Sequence, residues 1–437
     1  MDDDFRPDVH FTPRRNWMND PNGLVHHNGL WHLFFQHNPD GDTWGNMCWG
    51  HASSSDLVHW TEHPVAIRYD DHEAIFSGSA VVDHDNTSGF GGADDLDTPP
   101  MVAVYTSAYA TGRQAQSLAY SGDGGLTWTK YAGNPVLDRG SRAFRDPKVT
   151  WWTDSGGDGH WLLVAVEAHA RQVLFYRSAD LRHWELLSEF GPLPEPAGFW
   201  ECPDLFALPV DGDQGRRKDV LILSANEEGS PDGCATWYLA GRFDGHRFTP
   251  DDPVFRRLDH GPDCYAAVTW DNAPGGRRLL IGWMSSWAYA REVPTSPWRG
   301  AMTLPRELAL ETRLGRLTLI QRPAREPASA AGLRRFEVTL NLREGDEGVD
   351  LVGADDEVTR LRYSRSTGRL TLDRTVSGQT GFHPAFAGVA GAPVTAADAL
   401  RLDIIVDRCS VEVFVNDGET ALTALVFPSS PLRLRRL

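Results

Sequence analysis

The sequence predicts an all-β protein: a five-bladed β-propeller followed by a C-terminal β-sandwich. Three observations predict it. Apolar residues recur with a period near two, in short runs separated by Gly, Pro, Asn and Asp clusters. A turn opened by Asp and closed by an aromatic residue recurs along the first three quarters of the chain. After Arg322-Pro323 the texture changes, from loop-rich sequence to cleanly alternating strands.

The strand runs come in order at 30–35, 101–105, 161–166 and 220–223, each rich in Val, Leu, Trp, Phe or Tyr. No long amphipathic helix is expected. The segment 395–400 allows one or two helical turns at most. Asp56-Leu57-Val58-His59-Trp60 matches Asp180-Leu181-Arg182-His183-Trp184, and 123–128 and 244–248 follow the same pattern. The closing aromatics at 60, 128, 184 and 248 are 56 to 68 residues apart, room for a four-stranded blade with generous loops. About five such units fit between residues 10 and 320. Turn-Asp plus an aromatic also recurs by chance in β proteins. The expected domains are therefore a propeller over 1–323, an Ala/Pro/Ser-rich linker over 324–332 and a sandwich over 333–437. Within the sandwich, strands are expected at 336–340, 360–363, 370–372, 402–406 and 410–415, with Asn416-Asp417-Gly418 as a hairpin turn.

Composition narrows the function. The 437 residues carry a net charge of −18, which disfavours nucleic acid and anionic membrane as partners, since both are bound by clustered Lys and Arg. No apolar stretch of 18 residues occurs. The acidic start, Met1-Asp2-Asp3-Asp4, is not a signal peptide, so the chain is expected to be cytoplasmic, or secreted after loss of a leader this sequence does not contain. Five cysteines (48, 202, 234, 264 and 409) show neither a disulfide framework nor metal spacing. His26-His27 and His51 lack zinc-type spacing too, so neither metal nor cofactor is expected. Composition carries no signal for oligomeric state. Sixteen Trp hint at a sugar ligand, because indole faces stack on sugar rings, although Trp also fills β cores.

Three acidic segments stand out: Asn19-Asp20-Pro21, Arg145-Asp146-Pro147 and Glu201-Cys202-Pro203. Asp20 lies 36 residues before Asp56, Asp146 34 before Asp180, and Glu201 43 before Asp244. The acids thus fall at a shared phase of three repeats, and inner strands of a propeller converge on one channel. Singly, each also reads as turn chemistry, a local ion pair or a rim residue. Crowded carboxylates cannot all ionise easily, so one becomes a proton donor. With no metal motif, acid/base or nucleophilic work on a neutral polyol or sugar follows.

The same residues carry a resemblance. HFTP at 10–13 with NWMNDPNG at 16–23, RDP at 145–147 and ECP at 201–203 resemble, in order and spacing, the three signature motifs of glycoside hydrolase family 32. WGNMCWGHA at 44–52, FSGS at 76–79, Tyr265-Ala266, WMSSWAYA at 283–290, PTSPWRGAMTLPREL at 294–308 and VDRCSVEVFVN at 406–416 extend it over nearly the whole chain. That family pairs a five-bladed propeller with a β-sandwich.

The resemblance implies a retaining β-fructofuranosidase or exo-fructanase. It releases terminal β-D-fructofuranosyl units from sucrose, fructo-oligosaccharides, inulin or levan by double displacement. By motif position, Asp20 would be the nucleophile, Glu201 the general acid/base and Asp146 the transition-state stabiliser, with Arg145 orienting it. Asn19, Gln36, Trp44, Phe76, Ser77 and Trp287 match positions lining the fructose subsite. Cys48, where many relatives carry His, and Ser286, where Asn is common, depart from the pattern near the channel mouth and bear on substrate preference. Two alternatives accompany this expectation: a fructosyltransferase using the same three acids, and a sugar-binding propeller without catalysis.

Overall fold

The computed structural model describes residues 5–92, 98–226, 234–343, 345–354, 356–395 and 398–436. The acidic start Met1-Asp2-Asp3-Asp4 lies outside them. Strands dominate; among the described residues the helices are one four-residue α-helix and one 3-10 turn. None is long and apolar enough to cross a membrane.

The N-terminal body is built of antiparallel meanders. The first comprises β1 (Asn16–His27), β2 (Leu30–Asn38), β3 (Cys48–Ser54) and β4 (Thr61–Ile67). The second holds β5 (Glu73–Val82), β6 (Met101–Tyr109), β7 (Gln114–Ser121) and β8 (Thr129–Lys130), and the third β9 (Phe144–Thr153), β10 (Gly159–Glu167), β11 (Gln172–Ser178) and β12 (Glu185–Phe190). Next come β13 (Phe199–Val210), β14 (Asp213–Asn226), β15 (Cys234–Phe243) and β16 (Phe248–Pro250), with β17 (Arg256–Arg257) added on β15. After β18 (Tyr265–Thr269) and β19 (Leu279–Met284), the short β20 (Trp298–Arg299) and β21 (Ala301–Met302) lead to β22 (Arg306–Arg313) and β23 (Arg316–Pro323), which pair in the order β18-β19-β22-β23.

The four repeated turns occupy one structural place, between the third and fourth strands of a meander. Asp56 accepts the amides of Val58 and His59 and the His59 ring; Asp180 does the same for Arg182 and His183. Leu57 and Leu181 both adopt φ 62°. Asp123 and Asp244 also gather the amides that follow them. The short Asp side chain closes the turn on its own backbone, and the closing aromatic packs half-buried or buried against its sheet.

The first strands of the meanders neighbour one another. β1 packs beside β5, β5 beside β9, β9 beside β13, β13 beside β18, and β18 beside β1. β20 closes against the start of β1 as a parallel pair, Asn16 opposite Trp298 and Trp17 opposite Arg299.

Residues 324–332, expected as a plain linker, fold against the body. They carry α1 (Arg325–Ala328), Ala324 is fully buried, and Glu326 takes both amino groups of Arg277 at 2.6 and 3.0 Å. The C-terminal β-sandwich packs β24 (Arg334–Asn341), β29 (Ala399–Asp407), β30 (Ser410–Val415) and β31 (Thr420–Leu425) against β25 (Glu347–Val352), β26 (Val358–Ser364), β27 (Arg369–Val376), β28 (Val389–Pro393) and β32 (Arg433–Arg436). Alternating Val, Leu and Ile from both sheets fill its core. Of the segment 395–400, residues 396 and 397 lie outside the described residues, and Ala399 and Leu400 open β29 instead of a helix. Leu400 continues the period-two series Leu402, Ile404, and this burial outweighs local propensity. Asn416-Asp417-Gly418 forms the expected hairpin turn, with φ positive at all three residues. A Cβ on Gly418 would meet the Gln321 carbonyl oxygen at 1.9 Å, so only glycine lets the hairpin press on β23.

The sandwich docks through β31, an edge strand of its sheet. Ala421 accepts the His260 amide, Thr423 exchanges bonds with Asp259 and Asp263, and the Leu425 amide donates to Asp263. The body thereby covers an edge that would otherwise be left open. Buried charges lock the seam. Arg306 reaches Asp259 at 2.9 Å and Glu412 at 2.6 Å, and His10 lies between Asp407 at 2.8 Å and Glu412 at 2.9 Å.

Candidate active site

The chemistry-bearing side chains project from irregularities in the first strands. In each of β1, β9, β13 and β18, two residues face one partner residue. Asn19 and Asp20 face Gln36, and Asp146 and Pro147 face Ala165. Cys202 and Pro203 face Leu223, and Ala266 and Ala267 face Gly282. In β5 the extra residue is Ser77. A β-bulge leaves a residue unpaired and re-aims its side chain. Pro147 and Pro203 stand in these bulges, where a missing N–H breaks no regular ladder, and Pro21 resumes the pairing directly after its bulge, opposite Phe35.

The bulges are tied to one another. Asp146, Cys202 and Ala266 adopt φ of 62°, 48° and 52°, a left-handed conformation uncommon for non-glycine residues. Each of their amides has a partner. The Asp146 amide donates to Thr106 Oγ1 at 2.9 Å, the Cys202 amide to Asp146 Oδ2 at 3.0 Å, and the Ala266 amide to Ser224 Oγ at 2.9 Å. One strand's acid thus caps the bulge of the next.

The three predicted acids come together around this framework. Asp20 accepts Ser77 Oγ–H at 2.7 Å and Asn19 Nδ2–H at 3.0 Å. The Cys202 sulfur lies 3.6 Å from Asp20 Oδ2 and 3.8 Å from Asp146 Oδ2, so the two carboxyls straddle one thiol. Glu201 takes Arg145 Nη2–H at 3.0 Å and the Tyr265 hydroxyl at 2.5 Å. The Arg145 Nε lies 3.9 Å from Asp146 Oδ2, so this guanidinium links two of the acids.

Electrostatics follow from burial and crowding. Burial, then the Glu201 charge, raises the Asp20 carboxyl above its ordinary value, while Ser77 and Asn19 oppose the rise. Burial also raises Asp146, to about 7; Arg145 pulls it down, and Glu201 and Asp20 push it up. Burial and the surrounding acids hold the Cys202 thiol protonated and the Tyr265 phenol well above its usual range.

The remaining predicted residues surround these acids to different degrees. Asn19 is buried and fixed by Trp17 Nε1–H at 2.7 Å. Gln36 is buried across the ladder from the Asn19–Asp20 bulge, and its Nε2 has no acceptor among the described residues. Phe76 precedes Ser77, and its carbonyl holds the Trp49 indole N–H at 3.0 Å. Trp44, 41% exposed, meets Phe76 edge-on with centroids 5.8 Å apart. Trp287 stacks on Trp17 at 6.0 Å and leans on Trp283 at 4.9 Å. Ser286 is buried beside it. Cys48 is fully buried, its sulfur accepting the Tyr69 amide at 3.3 Å.

Reasoning from acids alone passed over three members of the cluster: the Tyr265 hydroxyl, the Cys202 amide and thiol, and Thr106 beneath Asp146. Tyr265 stands at the phase of the other acids, on β18, and that phase was the signal that could have found it. All five cysteines are unpaired.

Comparison with known proteins agrees over the full chain. A family model described as "Glycosyl hydrolases family 32 N-terminal domain" matches residues 10–323, and one described as "Glycosyl hydrolases family 32 C terminal" matches 315–435. A levanase of Bacillus subtilis is 42% identical over 98% of this chain and 67% of its own. An extracellular exo-inulinase of Aspergillus niger is 41% identical over 98% of this chain and 90% of its own. The crystal structure of an exo-inulinase from Aspergillus awamori superposes with a TM-score of 0.90 at 39% identity, covering 99% of this chain and 95% of that one.

Proposed function

The chain belongs to glycoside hydrolase family 32, and from that premise we propose that it is a retaining hydrolase of terminal β-D-fructofuranosyl units. Its substrates are sucrose, fructo-oligosaccharides and fructans of the inulin or levan type, in keeping with relatives named levanase and exo-inulinase. In this reading the antiparallel meanders are the five blades of a propeller over 1–323, joined by 324–332 to the sandwich at 333–437. The neighbouring of β1, β5, β9, β13 and β18 supports it.

One observation supports the chemical reading: Asp20, Asp146 and Glu201 come together at the bulges of neighbouring strands, each fixed by its own hydrogen-bond partners. Asp20 receives neutral donors from Ser77 and Asn19, which favour its ionised form. As the nucleophile it attacks the anomeric carbon and forms a fructosyl-enzyme ester. Glu201 is positioned by Arg145 and Tyr265; protonated from solvent before the substrate fills the site, it gives that proton to the departing glycosidic oxygen, then takes one back from the water that cleaves the ester. Asp146, locked by the Cys202 amide, binds fructose hydroxyls whose hydrogen bonds strengthen as positive charge develops on the ring. Trp287, Trp44 and Phe76 wall the sugar, and Asn19, Gln36, Ser77 and Arg145 complete the subsite.

The test is a panel of sucrose, inulin and levan with product analysis. Free fructose as the sole early fructan product is expected, released as the β-anomer. Asp20→Ala should fold normally and lose turnover on the order of 10⁴-fold or more. Near-normal turnover in that variant, or inversion at the anomeric carbon, would overturn the assignment. Longer oligosaccharides in place of free fructose at high sucrose would identify a fructosyltransferase instead.

A further inference from the structure

We propose that Arg374, contributed by the C-terminal sandwich, is a positioning residue for the site in the N-terminal body. It fixes both the Tyr265 that holds Glu201 and the Trp287 that walls the sugar. The inference rests on the functional reading above and adds to it a residue from outside the body that carries the acids.

Arg374 lies on β27, buried at the seam. Its Nη1 donates to Asp263 Oδ2 at 2.5 Å, its Nη2 to the Tyr289 hydroxyl at 2.8 Å, and its Nε to the Phe386 carbonyl at 2.7 Å. The Tyr289 hydroxyl in turn donates to Asp263 Oδ1 at 2.5 Å. Arg, Asp and Tyr thus close a buried triangle, and the guanidinium lies over the Phe386 ring at 3.9 Å.

Two arms of the site leave this triangle. Asp263 stands two residues before Tyr265, whose hydroxyl meets Glu201 at 2.5 Å. Tyr289 stands two residues after Trp287, which stacks on Trp17. Between Trp287 and Tyr289 the chain is a tight turn, the Tyr289 and Ala290 amides both returning to the Ser286 carbonyl. A displacement at Tyr289 therefore reaches Trp287 with little slack. No regular strand pairing holds residues 285–290; Ala290 packs in the core, Ser286 and the Trp287 amide bond the Cys234 sulfur, and the hydroxyl of Tyr289 ties the segment to the triangle. A planar fork is needed at position 374, because one cation must reach an acid and a hydroxyl on different arms at once.

Two variants test this. Tyr289→Phe keeps the ring against Phe386 and removes only the hydroxyl link. It should fold with an unfolding temperature lowered by several degrees, because buried Asp263 and Arg374 each lose a partner, raise KM for sucrose about fivefold and leave kcat within about twofold. Arg374→Lys keeps the charge but not the fork, and should lower kcat/KM about tenfold. KM does not depend on the fraction of active protein, so a purely stabilising role would leave it unmoved. Near-ultraviolet circular dichroism of the Trp17–Trp287 stack, expected to weaken in both variants, reads the displacement without catalysis.

Folded variants with wild-type KM and kcat/KM would overturn the proposal. If Arg374→Lys does not fold, Tyr289→Phe decides. If the wild-type protein cleaves none of the panel, or Asp20→Ala stays active, the functional reading fails separately, and the circular dichroism alone then judges the positioning role.

Discussion

Asp146 is the most constrained of the acids. It is buried and left-handed, and it receives a backbone amide at one oxygen while two other carboxyls stand near. Its pKa is raised by burial to about 7, against 3.8 for a free side chain. The folded state therefore holds this proton longer than the unfolded state does. Above about pH 4 ionisation favours unfolding, and the cost is complete only above about pH 7. Asp146→Asn should accordingly raise the unfolding temperature near pH 7.5, leave it nearly unchanged near pH 4, and depress turnover severely. Thermal scans at the two pH values, paired with sucrose hydrolysis, check this; a variant less stable at pH 7.5 would contradict it. Asp20, Asp146 and Glu201 were legible in the sequence because each sits in a motif at a common repeat phase. Tyr265 shares that phase, but a search for acids passes over it, because a phenol donating to a carboxylate is not itself an acid.

Along the strands, the information that sequence patterns miss is the bulge. Asn19-Asp20-Pro21-Asn22-Gly23 contains turn formers, yet it runs within β1, and Pro147 and Pro203 lie inside β9 and β13. Proline in a strand normally argues for an edge. Here it coincides with the extra residue of a bulge, a tertiary feature that no period-two pattern encodes. The Asp-to-aromatic turns, by contrast, were readable, because their geometry is fixed locally by one side chain and two amides. Bulge geometry also sets tolerance to substitution. A Cβ on Gly78, beside Ser77 on β5, would meet the Val104 carbonyl oxygen at 2.1 Å and the Tyr105 Cα at 2.7 Å. Neither is a side chain that can turn away, so Gly78→Ala must spread β5 from β6 and shift Ser77 off Asp20. The expected result is a lowered unfolding temperature with a kcat/KM loss of at least tenfold in the folded fraction. Unchanged values in a melting and kinetic comparison would contradict the close approach.

The two domains are held by charges as much as by apolar packing. Burial alone would lower the pKa of His10, but hydrogen bonds and charges from Asp407 and Glu412 raise it to about 9. In the same cluster Glu412 falls to about 2, opposed by burial and driven chiefly by Arg306, and Asp407 falls below the ordinary carboxylate range. The His10 contribution, on the order of 3 kcal/mol, is complete below pH 6.5 and is lost as pH rises through about 9. The two carboxylates contribute above about pH 4.5 and lose their effect as pH falls toward 2. The contribution of this cluster should therefore plateau between these limits and decline on the alkaline side, where the Asp146 cost is already complete. In His10→Gln the alkaline decline should flatten and the plateau drop, as thermal unfolding from pH 5 to 10 would register.

The closure of β20 on the start of β1 has a kinetic consequence. Asn16 pairs along the sheet with Trp298, and Asp20 stands four residues beyond that junction. Meanders of adjacent strands can zip locally and early, whereas this pairing closes a loop of some 280 residues and belongs to the slow class of long-range contacts. A nascent chain thus acquires most of its sheet before β1, the strand that carries Asp20, is covered on its β20 side.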